Sequence, residues 1–304
     1  MDFTDAIRTL ALIVSFILLV VFDRKVWLSA DLIATTGFGL AFAILPRSML
    51  VFQIDGELNT MHDHLTTLFG LSILSCAIFL YFTKDTRDGT VPLAIMLSRV
   101  FTCTTLLLCQ VYTHWGATAG RRNLDWDEQH ITFGMVGAAL WLLGHAIHLV
   151  RSNDFSSYPQ HHVHINHHLN VDALLVFVLS LGIVAFPDYC IHYLFETAKI
   201  DLVHSHMMRC IGAAGVGSAI ISLQAPGFLH EHDKRFQFLA RILTMLGMLV
   251  AVCGLQLYYR EIVVKKLRGV VIVCLPVLLN ALFGYFFAGG TAFYRLRAAK
   301  QKSS

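Results

Sequence analysis

Four charged residues and a set of histidines hold most of the chemistry this sequence can offer. Arg99 and Arg241 each stand inside a long apolar run, Arg99 about eight residues from its start, roughly 12 Å along a helix axis. A charge at that depth costs several kcal/mol unless it is paired, and such residues turn toward the interior of a helix bundle. Asp31 and Asp172 stand at matching places at the starts of two other runs, on the same side of the membrane as the starts of the arginine helices. The arrangement predicts ion pairs Asp31–Arg99 and Asp172–Arg241, which fix helix register or, beside an interior site, meet a substrate. The histidines fall into two groups. His145 and His148 lie one helical turn apart and precede His161, His162, His164, His167 and His168, a run whose neutral imidazoles suit iron, zinc or copper. His62 and His64 recur as His204 and His206. Residues i and i+2 of a helix diverge by roughly 200°, so capping or contact between the two copies suits these pairs better than chelation.

The elements that must position these residues follow from composition. Of 304 residues, 56% are hydrophobic and 14% charged, with a mean hydropathy of +0.63, too apolar for a soluble domain of this size. Nine apolar runs are predicted as transmembrane helices, at 7–22, 31–46, 63–83, 91–113, 131–150, 171–187, 205–223, 236–258 and 269–289. No period-two alternation points to a barrel. The first run follows acidic residues and has no small-residue cleavage site, so it is expected to be retained. The seven cysteines form neither a disulfide framework nor a CxxC pattern. No Walker loop, nucleophile elbow, dinucleotide fingerprint or nucleic-acid module is present, so neither an enzyme assignment nor a nucleic-acid partner is expected.

An internal echo organises the runs. His62, His64, Gly70, Ala77, Ile78, Leu97, Arg99, Thr102 and Leu107 recur as His204, His206, Gly212, Ala219, Ile220, Leu239, Arg241, Thr244 and Leu249, and Asp31 and Pro46 as Asp172 and Pro187. The interval is an even number of helices, so the copies run in the same direction. The expected fold is an all-α polytopic membrane protein of about nine transmembrane helices, with four-helix repeats at 1–130 and 131–260 and a terminal helix and basic tail at 261–304. Segments 47–61 and 188–203 read as loops. Gly134, Gly137, Ala138 and Gly144, and Gly212, Gly215 and Gly217, offer small faces for close helix approach. Pro276 and Asn280 mark a kink with a polar contact in the last helix.

Three short motifs carry resemblances. His164-Ile165-Asn166-His167-His168 resembles the HxxHH box of membrane di-iron desaturases and hydroxylases, although no second box is present to complete their ligand set. Phe186-Pro187-Asp188, Leu194-Phe195-Glu196-Thr197-Ala198 and Arg209-Cys210-Ile211-Gly212, within residues 171–225, resemble the tumour-suppressor-inducible protein eleven family of four-helix membrane proteins. The first copy departs from that pattern, with Leu45-Pro46-Arg47 for the FPD and Thr67 in place of Arg209. That resemblance implies a membrane-embedded fold and no site. The tail Lys300-Gln301-Lys302-Ser303-Ser304 resembles the di-lysine retrieval signal, which implies coat-protein recognition, a cytosolic C-terminus and residence in the endoplasmic reticulum. The plasma membrane or another endomembrane is the alternative.

These observations lead to an expected structural, adaptor or regulatory role in the endoplasmic-reticulum membrane, with the lipid bilayer as partner and no cofactor. Carriage of a small solute or ion between the two repeats is the alternative. A histidine-ligated metalloprotein, such as a di-iron oxidase, comes third. Oligomeric state is left open.

Overall fold

The computed structural model describes residues 3–51, 53–54, 56–118, 128–152, 163–195, 199–258 and 267–286. They form eleven α-helices and one 3-10 turn: α1 (Phe3–Val21), α2 (Arg24–Ile44), α3 (Pro46–Val51), α4 (Thr60–Thr83), α5 (Thr90–Thr118), α6 (Glu128–Arg151), α7 (Val163–Ala185), α8 (Pro187–Leu194), α9 (Leu202–Gln224), the 3-10 turn Ala225–Gly227, α10 (Glu231–Tyr258) and α11 (Leu267–Phe286). Seven of these, α2, α4–α7, α9 and α10, are long and apolar enough to cross a membrane. In α1 and α11 the described apolar stretches are shorter, Leu12–Val21 and Val273–Phe286. Ile33, Val150, Leu174 and Val250 are more than half exposed, a distribution that suits a bundle whose outside meets hydrocarbon.

Two prolines punctuate the chain in the same way. Each forbids the α conformation to the residue before it while fitting the first turn of the next helix. Leu45 (φ −122°, ψ 47°) and Phe186 (φ −128°, ψ 54°) therefore break α2 and α7, and Pro46 and Pro187 open α3 and α8. Segments 47–61 and 188–203, expected as loops, thus begin with short helices. A second correction concerns α7, which starts at Val163 rather than 171. His164, His167 and His168 lie in its first turns, because intrahelical hydrogen bonds form irrespective of side-chain polarity, whereas an apolar window sees only the buried part.

Packing repeats too. α2 crosses α4, and α7 crosses α9, at close range. A Cβ on Gly70 would stand 2.4 Å from Ala43 N and 2.6 Å from Gly39 O, and one on Gly212 would stand 2.8 Å from Ser180 O; only glycine permits either crossing. α5 packs on α9 and α10 on α4, so the halves interlock, while α6 lies on α5 and α1, and α11 on α10 and α7. At the centre α4 meets α9. His62 stacks on His204 near their starts, and Ser75 reaches Ser218 further along, so the two helices run parallel.

Candidate functional site

Asp31, fully buried, lies two turns into α2. Arg99 of α5 donates through Nε to its Oδ2 at 2.9 Å, and Trp141 of α6 donates through Nε1 to Oδ1 at 2.8 Å. His145 Nε2 stands 3.5 Å from the same Oδ1. The Trp27 indole donates to His145 Nδ1 at 3.1 Å, so that imidazole is neutral with its proton on Nε2, facing the carboxylate. His148 stacks on Trp27. The structure therefore places His145 and His148 in the layer around an aspartate. Arg99 engages Asp31 only through Nε, and its Nη2 is buried with no hydrogen-bond partner.

The second pair is built differently. Arg241 Nε lies 3.1 and 3.3 Å from the two oxygens of Asp172, and Nη2 donates to Oδ2 at 3.0 Å. Ser222 Oγ donates to Oδ2 at 2.5 Å and itself accepts from Gln237 Nε2 at 2.8 Å. Two parallel N–H donations to one carboxylate make the strong form of this contact. Neither residue keeps a buried polar atom without a partner. This pair is closed, whereas the Asp31 pair is open.

The opening is a cavity of about 520 Å³ bounded by α1, α2, α4, α5, α6 and α9. Arg99, Thr102, Leu106, Gln110 and Thr113 line it from α5, a single helical face extending roughly 21 Å. Its walls are mostly apolar, with Phe16, Phe38, Phe69 and Ile73 among them. Polar groups gather at the ends. Asp31 and Arg99 occupy one; at the other, Thr113 Oγ1 pairs with His206 Nδ1 at 2.9 Å, and His206 Nε2 with Cys210 Sγ at 3.3 Å. The small face predicted on α6 divides in function. A Cβ on Gly144 would stand 2.2 Å from Trp27, the close approach expected; one on Gly137 would meet nothing within 4 Å, and Gly134 faces only Gln110. Small residues on α6 thus make room as well as contact. Beside Arg241 the corresponding space is about 130 Å³.

The paired histidines meet at the N-termini of α4 and α9. Asn59 caps α4 and Asp201 caps α9, each completing a capping box with the histidine at the third helical position. His62 Nδ1 accepts from Asn59 N, leaving Nε2–H to donate across to Asp201 Oδ2 at 2.9 Å. His204 Nε2 in turn reaches Asn59 Oδ1 at 3.2 Å. Its Nδ1 sits between Asp201 N at 3.3 Å and Asp201 Oδ1 at 2.9 Å. Burial works to raise the Asp201 carboxyl, but hydrogen bonds from His204 and His62 outweigh it and hold the group well below the usual carboxylate range. His62, Asp201 and His204 are the one group of three potential metal ligands assembled among the described residues. The rings, however, stack at 3.8 Å and 10°. Their in-plane lone pairs therefore run side by side instead of converging on an ion, and the reciprocal capping accounts for the contacts. His64 packs edge-on against Phe195.

The HxxHH residues do not gather with His145 and His148. His164 and His167 are exposed on α7, and His168 pairs with Asn280 of α11 at 2.8 Å. Asn280 returns a bond to the His168 carbonyl, so its polar contact bridges two helices. Of the residues in the motifs that resemble the protein eleven family, Asp188 accepts from Ser205, and Arg209 lies over the Tyr112 ring at 4.5 Å; Glu196–Ala198, with His161, His162, Lys300 and Lys302, lie outside the described residues. A family model described as "Domain of unknown function (DUF8292)" matches residues 29–286. The chain belongs to this family. Its matched span takes in both aspartate–arginine pairs, the capping histidines and all of the cavity wall except α1. No curated protein and no solved structure gives a match.

Sequence reasoning missed Trp27, Trp141, Ser222 and Gln237. An indole in an apolar run carries no signal of its partner, and Ser222 and Gln237 are single polar residues of the kind many membrane helices contain.

Proposed function

We propose that this DUF8292 protein is a polytopic membrane protein of the endoplasmic reticulum that holds a small, mainly apolar solute in the chamber beside Asp31 and Arg99, in a regulatory or carrier role. The observation that carries this is the contrast between the two ion pairs. Asp172–Arg241 is bidentate, carries a further bond from Ser222, and borders a space of only about 130 Å³. Asp31–Arg99 leaves a guanidinium donor unpartnered at the wall of a cavity within the size range of small-molecule sites.

Around this centre, nine spans and an internal duplication are the architecture proposed. The duplication is supported by the matched proline breaks, glycine crossings, histidine caps and ion pairs. The packing favours α2–α6 and α7–α11 as the two copies, with α1 outside them, in place of boundaries at 130 and 260. The kinship with the protein eleven family and the retrieval signal at Lys300 and Lys302 remain parts of the proposal carried by sequence alone.

The test is to purify the protein from membranes in mild detergent, extract it with organic solvent and quantify co-purifying lipid by mass spectrometry. Stoichiometric ligand, lost when Gly137→Leu fills the open wall, supports the reading. Equal lipid in both proteins contradicts it.

A further inference from the structure

The polar atoms around the chamber specify what the ligand's polar end must be; this inference rests on the chamber reading above. The wall holds one carboxylate and one guanidinium, paired at 2.9 Å, so its formal charge is zero. Both oxygens of Asp31 are occupied, Oδ2 by Arg99 and Oδ1 by Trp141 with His145 behind it. A cation there would compete with the Arg99 guanidinium, which already neutralises the carboxylate at 2.9 Å. Arg99 lines the cavity, is only 6% exposed and bonds Asp31 through Nε alone; its terminal guanidinium nitrogens are the donors left to meet a ligand at that end. An anion placed on it would sit beside Asp31 as a second negative charge against one positive, in an apolar enclosure where like charges repel more strongly than in water. A neutral oxygen acceptor would gain a charge-assisted hydrogen bond without adding a charge.

Further along, the wall is apolar: Leu106, Phe69 and Ile73 line it between Arg99 and Gln110, which stand eleven residues and roughly 16 Å apart along α5. This suits an elongated apolar molecule with its oxygen at the Arg99 end. In the other half Arg241 gives both Nε and Nη2 to Asp172, and the space beside it is about 130 Å³.

We infer that the chamber selects a neutral amphiphile of the long-chain alcohol, ketone or ester class, whose oxygen accepts from the Arg99 guanidinium, over the corresponding carboxylate or phosphate and over a plain alkane. The experiment uses the full chain in nanodiscs and a diazirine-bearing hexadecanol as photoaffinity probe, with hexadecanol, methyl palmitate, palmitate and hexadecane as competitors at pH 8. Hexadecanol and the ester should displace the probe at concentrations at least tenfold below palmitate and hexadecane. In the paired variant Asp31→Asn with Arg99→Gln, which leaves no stranded charge and whose folding is checked by its melting profile, hexadecanol should lose its advantage over hexadecane. Palmitate competing as well as hexadecanol, or an alcohol preference that survives in the paired variant, overturns the assignment. Absence of saturable labelling by the probe, or equal labelling of Gly137→Leu, overturns instead the chamber reading on which it rests.

Discussion

Replacing Asp172 by Asn isolates what the closed ion pair contributes. Arg241 is 3% exposed and gives Asp172 donations from both Nε and Nη2, with a further bond from Ser222. Removing one member of a buried pair strands the other charge and costs about 3–5 kcal/mol. At about 2–4 °C per kcal/mol for a chain of this size, the melting temperature in detergent should fall by roughly 10 °C. Asp31→Asn should cost less, about 1–2 kcal/mol and roughly 4 °C, because Arg99 gives Asp31 one donation instead of two and lines a cavity of about 520 Å³ in which its side chain can shift. Removing both charges with Asp172→Leu and Arg241→Met should recover most of the loss, since an apolar pair of similar volume substitutes well for a buried ion pair. The assay is thermal unfolding followed by size-exclusion chromatography with fluorescence detection. Equal losses for the two single variants would refute the distinction between open and closed pairs. A double variant no better than Asp172→Asn would refute the electrostatic origin of the loss.

Other outcomes follow from the same geometry. Gly144→Leu should destabilise by about 1–3 kcal/mol through overpacking, because a Cβ added there would stand 2.2 Å from Trp27, whereas Gly137→Leu, with nothing within 4 Å, should melt near wild type. Asp201 has a depressed carboxyl pKa, so its contribution is complete above the unfolded value of about 3.9 and fades as pH falls below it. Its side chain is 40% exposed, so solvent screening keeps that contribution under about 1 kcal/mol; Asp201→Asn should flatten the loss of melting temperature between neutral and acid pH, and an unchanged slope would exclude it as the acid-sensitive group. Lys300→Ser with Lys302→Ser should shift a tagged protein from the endoplasmic reticulum toward later compartments in fluorescence microscopy, and unchanged staining would remove the retrieval signal from the account.

Much of the scaffold was legible because burial in a bilayer writes itself as length and apolarity. The nine apolar runs overlap helices, seven of them long and apolar enough to cross a membrane, and an arginine inside one of them admits few partners, so Asp31 and Asp172 could be named from position alone. The short helices α3 and α8 were not legible, since six or eight residues hold too little periodicity to register. Nor was the polar start of α7, where histidines suggested a loop. The chamber was hidden for another reason: Gly137 and Gly144 look alike in sequence, yet one faces a void and the other an indole. Sequence spacing tells which residues share a helical face, but not whether another helix arrives to cover it. The same limit applied to His62 and His204, whose recurrence pointed to each other while their caps, Asn59 and Asp201, emerged only from the folded helix ends.

Electron cryo-microscopy of the protein purified from native membranes into lipid nanodiscs tests the central claim most directly. An elongated non-protein density between Arg99 and the His206 end of the chamber, touching the Arg99 guanidinium, is the predicted result. Closure of α1 or α6 onto α5, with side chains filling the space and a partner on Arg99 Nη2, would contradict it.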